Sequence, residues 1–292
     1  MKNSLIISTL LIAFIFTACE DNEDSNPTKN LNLNISGLDD LGSDAIYEGW
    51  LIVNGAAISS GTFTVDANGM MSKTSFPVNA TDLENAATFV LTIEPVPDSD
   101  AGPSDVHLLA GDFSSNNASL SIGHGAALGN DFNSSEGIYI LATPTNGPET
   151  NEESGIWFLD LSTGAPTVGL TLPTLPAGWK YEGWTVIDGQ PVTSGKFTAV
   201  DMVDEDDPFS DIMPGPSFPG EDYLKNAPTD LDFPTDIRGG TAVISIEPDP
   251  DNSAGPFTLK PLVGTIPGTA MDHVPYDMDQ NLGSFPSGTA SK

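Results

Sequence analysis

Few side chains in this sequence are spaced to do chemistry. The three histidines are His107, His124 and His273. A nucleophilic triad needs a His base beside a hydroxyl and a carboxylate, and a zinc site needs paired ligands. None of the three lies at short spacing from a second ligand, and no Ser sits in a Gly-x-Ser-x-Gly elbow. Glu94 and Glu247 close two similar strands, but the carboxylate pair of a glycosidase stands about 5–10 Å apart. Each is expected instead to accept backbone hydrogen bonds from the loop that follows it. Glu48 and Glu182 also recur at matching positions and are read as structural. Oxygen-rich turns carry the one metal expectation. They hold Asp98 and Asp100, then Asp249, Asp251 and Asn252, with Asp204 and Asp206 in a further acidic run. Clustered carboxylates are what Ca²⁺ uses, yet both turns lack the terminal Glu of a twelve-residue helical-hand loop. Solvated turn residues are the favoured reading, with no cofactor otherwise expected. Trp157 and Trp179 are read as ordinary sandwich aromatics.

Charge narrows the partners. Lys and Arg total 9 against 41 Asp and Glu in 292 residues, a formal charge of −32. Such a surface repels phosphate backbones, so nucleic acid is excluded as a partner. Hydrophobic residues make up 38% and fall in patterned runs, which argues against disorder. Proline (24) and glycine (29) punctuate short β-branched and aromatic runs, the pattern of an all-β chain.

Lys2, an apolar run over 5–16 and small residues before Cys19 describe an export signal too short to span a bilayer. Phe16-Thr17-Ala18-Cys19 resembles a bacterial lipobox, although Phe16 stands where Leu is usual. The resemblance implies a signal peptide over 1–18 and lipid on Cys19, the only cysteine, so that the mature chain holds no thiol. An acidic tether follows over 19–30. Its acidic start resembles the surface-export signal of Bacteroidetes lipoproteins, which implies the outer membrane and its outer face.

The elements that must position everything else come as a repeat. Tyr47-Glu48-Gly49-Trp50 returns as Tyr181-Glu182-Gly183-Trp184. Each copy runs into a two-residue turn, Asn54-Gly55 and Asp188-Gly189, suited to an antiparallel hairpin. Later strands, ATFVLTIE from Ala87 and TAVISIE from Thr241, each end at a proline, Pro95 and Pro248, and enter an acidic turn closed by Ala-Gly-Pro. Phe89, Leu91 and Ile93 are expected inward, as are Ala242, Ile244 and Ile246. On the YEGW strand, the face carrying Trp50 and Ile52 is the expected core side. The fold class is therefore all-β, two tandem immunoglobulin-like β-sandwich domains over 31–145 and 155–292. The second carries a long acidic insertion over 202–238, expected as a surface loop.

Each copy resembles the extracytoplasmic C-terminal domain of anti-sigma-K factors, in its aromatic strand ending at Trp50 or Trp184, its glycine hairpin, its Glu-Pro strand end and its Gly-Pro loop. The resemblance implies fold rather than activity, because no sigma-binding region or membrane-spanning helix accompanies it. The expected function is a lipid-anchored, exported, non-enzymatic interaction or sensing module with a protein or glycan partner. The alternatives are a glycan-directed surface hydrolase with its site in the 202–238 insertion, and an accessory part of a sigma/anti-sigma system.

Overall fold

The computed structural model describes residues 27–148, 150–251 and 253–292. The signal peptide, Cys19, the start of the tether and Asn252 lie outside the described residues. In chain order the first strands are β1 (Thr28–Ser36), β2 (Ala45–Val53), β3 (Ala56–Phe63), β4 (Ser75–Asn79), β5 (Thr88–Pro95), β6 (His107–Asp112) and β7 (Asn117–Leu120). Next come β8 (Glu136–Leu141), β9 (Gly155–Trp157), β10 (Leu159–Asp160), β11 (Thr167–Val168), β12 (Leu170–Thr171), β13 (Trp179–Ile187) and β14 (Gln190–Phe197). The last are β15 (Gly220–Asp222), β16 (Thr241–Pro248), β17 (Leu262–Thr265), β18 (Tyr276–Gln280) and β19 (Ser287–Ser291). Among the described residues the single α-helix, α1 (Ala80–Asn85), starts where the Asn79 side-chain oxygen accepts the N–H groups of Thr81 and Asp82 at 2.9 and 3.1 Å. The chain is all-β, of the β-sandwich class.

The repeat is a repeat of ladders. One sheet runs β3-β2-β5-β6, and the larger sheet begins β14-β13-β16-β17. Registers correspond residue by residue: Tyr47 opposes Phe63 as Tyr181 opposes Phe197, and Trp50 opposes Val90 as Trp184 opposes Val243. Both YEGW strands carry an irregularity at the same point, next to the tryptophan. The hairpin turns also agree, with φ of 52° and 83° at Asn54 and Gly55, and 52° and 86° at Asp188 and Gly189. Two positive-φ residues match the right-handed twist of the strands they join. Gly55→Ala and Gly189→Ala have open space for the new methyl, so each is expected to lose only the left-handed backbone preference, about 1 kcal/mol. Equal losses at the two sites in denaturant titrations would check that the turns are equivalent.

The core side is the tyrosine face, contrary to the expectation from the tryptophans. Tyr47, Leu51 and Val53 pack with Phe89, Leu91 and Ile93 in the main core, which continues through Tyr181, Ile244 and Ile246. Trp50 lies across the sheet in a small cluster with Val90, Ala110 and Ala127. An indole N–H needs a partner when buried, and here it has one. Trp50 Nε1 donates to Thr92 Oγ1 and Trp184 Nε1 to Ser245 Oγ, both at 2.8 Å. That polar handle places the tryptophans outside the main apolar layer.

The ladders also cross the expected boundaries. β8, placed by sequence in the first domain, pairs with β18 and β9 of the larger sheet. β19, placed at the end of the second, pairs with β1 and β7. The 202–238 insertion is not a surface loop throughout. Its strand β15 is buried along its length and pairs with β9.

Candidate functional site

The fold buries several carboxylates, the groups best placed for chemistry. In the insertion, Glu221 and Asp222 are fully buried. Asp222 Oδ1 accepts Trp157 Nε1–H at 2.8 Å, and Oδ2 accepts the Thr145 N–H at 2.8 Å together with the Thr145 hydroxyl. Glu221 accepts the Ser210 hydroxyl and the Asp222 N–H (3.0 Å). Asp204 Oδ2 accepts the Gly220 N–H at 2.9 Å. Glu152 accepts N–H groups from Thr143 and Thr150 at 3.0 and 3.2 Å. Desolvation pushes Glu221 up to about 8 and Asp204 up to about 7. It raises Asp222 as well, against the hydrogen bonds from Thr145 and Trp157. These groups tie β15 to β9 and to the turn at Thr145. Fully buried and engaged, Glu221 and Asp222 present no face to a substrate.

Sequence reasoning missed this cluster because its members lie far apart in the chain. The one available signal was Glu221-Asp222-Tyr223, where two acidic residues precede a large aromatic inside an otherwise loop-like insertion.

The repeat-positioned glutamates behave as expected from sequence. Glu94 accepts the Ser104 N–H with both oxygens, at 3.0 and 3.1 Å. Glu247 does the same with the Phe257 N–H at 2.9 and 3.2 Å. Each carboxylate thus pins the loop after its own strand. Glu48 accepts the Ser59 hydroxyl, and Glu182 accepts the Thr193 hydroxyl at 2.6 Å. Burial pushes both Glu182 and Glu247 up to about 7.

The structure scatters the calcium candidates. Asp98 Oδ1 accepts the Asp100 N–H (2.8 Å) and Asp100 Oδ1 the Gly102 N–H (3.1 Å), closing a local turn. Asp249 faces Lys180 Nζ at 3.4 Å and Asp251 faces Lys196 Nζ at 3.1 Å. Asp204 is turned into the insertion, while Asp206 is exposed. Among the described residues no three metal-ligating side chains converge. The histidines are equally separate. His107 Nδ1 meets the Ala126 carbonyl at 3.0 Å, His124 Nε2 lies 3.4 Å from Asp112, and His273 Nδ1 lies 3.0 Å from Asp272. Trp157 is the donor to Asp222 and Trp179 packs on Phe257, so both serve the fold.

What remains is a cleft of about 1300 Å³ where the equivalent loops of the two copies meet. The loop after β5 contributes Ser104 and Asp105, the loop after β16 contributes Asp249 and Asp251, and the turn before β2 contributes Asp39, Asp40 and Asp44. Its floor is apolar, with Ile93, Val106 and Phe257. Three of the six aspartates have a lysine nearby: Lys180 for Asp249, Lys196 for Asp251, and Lys260 acting on Asp39. Asp40, Asp44 and Asp105 make no ion pair among the described residues, leaving the rim strongly anionic. Gly178 closes the end of the cleft, where an added Cβ would lie 2.7 Å from the Asp105 backbone. No protein-family profile matches this chain. No curated protein and no solved structure matches it either.

Proposed function

We infer that this chain is a lipid-anchored, exported, non-enzymatic binding module whose ligand seats in the acidic cleft between the two copies. The observation that carries the reading is the convergence of both copies' loops on one cavity with an apolar floor and three aspartates unpaired at its rim. A low-dielectric wall lined by one sign of charge concentrates the opposite sign. The chemistry fits a cationic partner with some apolar surface, such as a Lys- or Arg-rich protein segment. Lipid on Cys19 would hold the cleft at a membrane surface, facing a partner outside the cytoplasm. The hydrolase alternative has less support, because the carboxylates that the insertion gathers are turned inward.

The test is titration of an oligolysine peptide into the wild type and into the triple variant Asp40→Asn, Asp44→Asn, Asp105→Asn. The triple variant is expected to bind at least about tenfold more weakly at low salt, since each exposed ion pair it removes contributes about 0.2–1 kcal/mol. Replacing three exposed aspartates elsewhere (Asp131, Asp277 and Asp279) is expected to have little effect. Equal weakening by both triples would mean that net charge alone attracts the peptide and would remove the cleft from the argument.

A further inference from the structure

The two copies share more than the four-strand ladder, and the remaining strands carry an inference about how the chain meets a second copy of itself. In the first copy the order continues β7-β19-β1-β4, with β6 joined to β7 through the bridge between Ala110 and Ser121. In the second it continues β18-β8-β9-β15. Each copy is thus the same series of eight strands. Seven of them occupy equivalent places in chain order: β1 with β9, β2 with β13, β3 with β14, β4 with β15, β5 with β16, β6 with β17 and β7 with β18. The eighth place is the exception. β8, which follows β7 in the chain, fills it in the second copy, and β19, which follows β18, fills it in the first.

Register shows that the two places are equivalent. Gly288 opposes Leu120, Thr289 opposes Ser119 and Ala290 opposes Ala118. Likewise Gly137 opposes Met278, Ile138 opposes Asp277 and Tyr139 opposes Tyr276. The bridge from Ala110 to Ser121 has its counterpart in Val263 opposite Asp279. Both eighth strands carry glycine where an added side chain would crowd its neighbours. A Cβ at Gly288 would lie 2.3 Å from the Asn34 carbonyl oxygen, and one at Gly137 would lie 2.9 Å from Met278 Sδ. The two incoming segments meet at Phe132 and Phe285, whose rings pack edge to face at 5.8 Å. Gln280 Nε2 donates to the Asn133 and Ser135 carbonyls beside them, at 2.8 and 2.9 Å. This is a reciprocal exchange of the eighth strand between two copies of one unit.

The exchanged strands are held unequally. β8 buries Tyr139, Ile140 and Leu141, an anchor of large apolar side chains. From β19 only Ala290 enters the core, so its hold is the backbone ladder of five pairs to β1 and four to β7, with Lys292 just after it donating to the Glu84 and Ala86 carbonyls at 3.2 and 2.7 Å and lying over the Phe113 ring. Burying a methyl contributes far less than burying Leu, Ile or Tyr. A strand exchanged between molecules keeps every contact it had within one, so the trans form loses association entropy and little else. We propose that the groove between β1 and β7 is a strand-binding site, filled within one chain by Ser287–Ser291 and open to the same strand from a second copy of this chain. The segment 281–286 is the hinge that carries the strand from one groove to the other.

Cysteine pairing tests this on the full chain, with Cys19→Ser removing the one native thiol. Asn34 and Thr289 are exposed and directly opposed across β1 and β19. Chains bearing Asn34→Cys alone and Thr289→Cys alone are mixed, warmed to just below the unfolding transition, cooled at high concentration and oxidised. The covalent heterodimer is expected several-fold above a mixture of Thr289→Cys with Thr163→Cys, an exposed position in another loop. A synthetic peptide of residues 281–292 is expected to suppress it by competing for the groove. The double variant Asn34→Cys/Thr289→Cys is expected to close within one chain and, oxidised first, to stay monomeric. Closure of the double variant with no heterodimer above the control would show that the strand never leaves its own chain and overturn the proposal. Failure of the double variant to close would overturn the placement on which it rests.

Discussion

Raising the pH from about 5 to about 8 is expected to destabilise the fold by several kcal/mol, which denaturant unfolding at the two pH values would measure. The cause is carboxylates held where ionisation is costly. Burial pushes Glu182, Asp204 and Glu247 up to about 7 and Glu221 up to about 8, against ordinary values of 3.8 for Asp and 4.5 for Glu. Between its unfolded and folded values each group binds more protons in the native state than in the unfolded one. Stability then falls as pH rises, by up to about 1.4 kcal/mol per pH unit for each such proton. The contribution is fully present below about 4 and gone above about 8. The same sign is expected from general repulsion on a chain of charge −32, so the variant Glu221→Gln separates the two causes. It is expected to flatten the slope by about one proton and leave the rest unchanged. A stability that is constant or rises over this interval would contradict the account.

Asp222→Ala is expected to cost about 2–5 kcal/mol, from about 1–3 kcal/mol for each buried donor left without an acceptor. Asp222 is the acceptor for Trp157 Nε1 and for both the N–H and the hydroxyl of Thr145, all in the interior. Truncation leaves two N–H donors buried with no acceptor, and an unmade buried hydrogen bond costs more than a made one contributes. Asp211→Ala, at an exposed position whose backbone N–H alone touches Thr145, is expected to change stability by under about 0.5 kcal/mol. Thermal unfolding of the two variants side by side is sufficient. A small effect at Asp222 would mean that water takes over its donors and that the insertion is not pinned there.

Much of the local architecture was legible in the residues. Asn54-Gly55 and Asp188-Gly189 announced their turns because few other pairs adopt two positive φ angles cheaply. Glu94 and Glu247 could be assigned to the loops after them because a carboxylate at a strand end, followed by a turn, faces nearby N–H groups. The inward series Phe89, Leu91, Ile93 followed from the two-residue period of a strand. The core face of the YEGW strand did not follow from the same rule. Both faces are apolar, and which face meets the larger layer depends on what packs there. Trp50 has an N–H that seeks Thr92, whereas Tyr47 can bury its ring and reach the Asp39 carbonyl at the rim, 3.0 Å away.

The cleft and the buried carboxylates belong to a different kind of information. Asp40, Asp105 and Asp249 are unremarkable turn residues one at a time, and only the meeting of three loops makes them a single anionic rim. Glu221 reads as one more solvated acid of the insertion until β15 is seen paired with β9.

By itself the sequence determined the strand class, the duplication, the turn chemistry and the sign of the surface, because each depends on residues close in the chain or on totals over it. Only the tertiary structure decided which strand completes which sheet. β8 and β19 present compatible ladders to either copy, since backbone N–H and C=O groups are the same everywhere. Their choice is made by the distant groove each one fills.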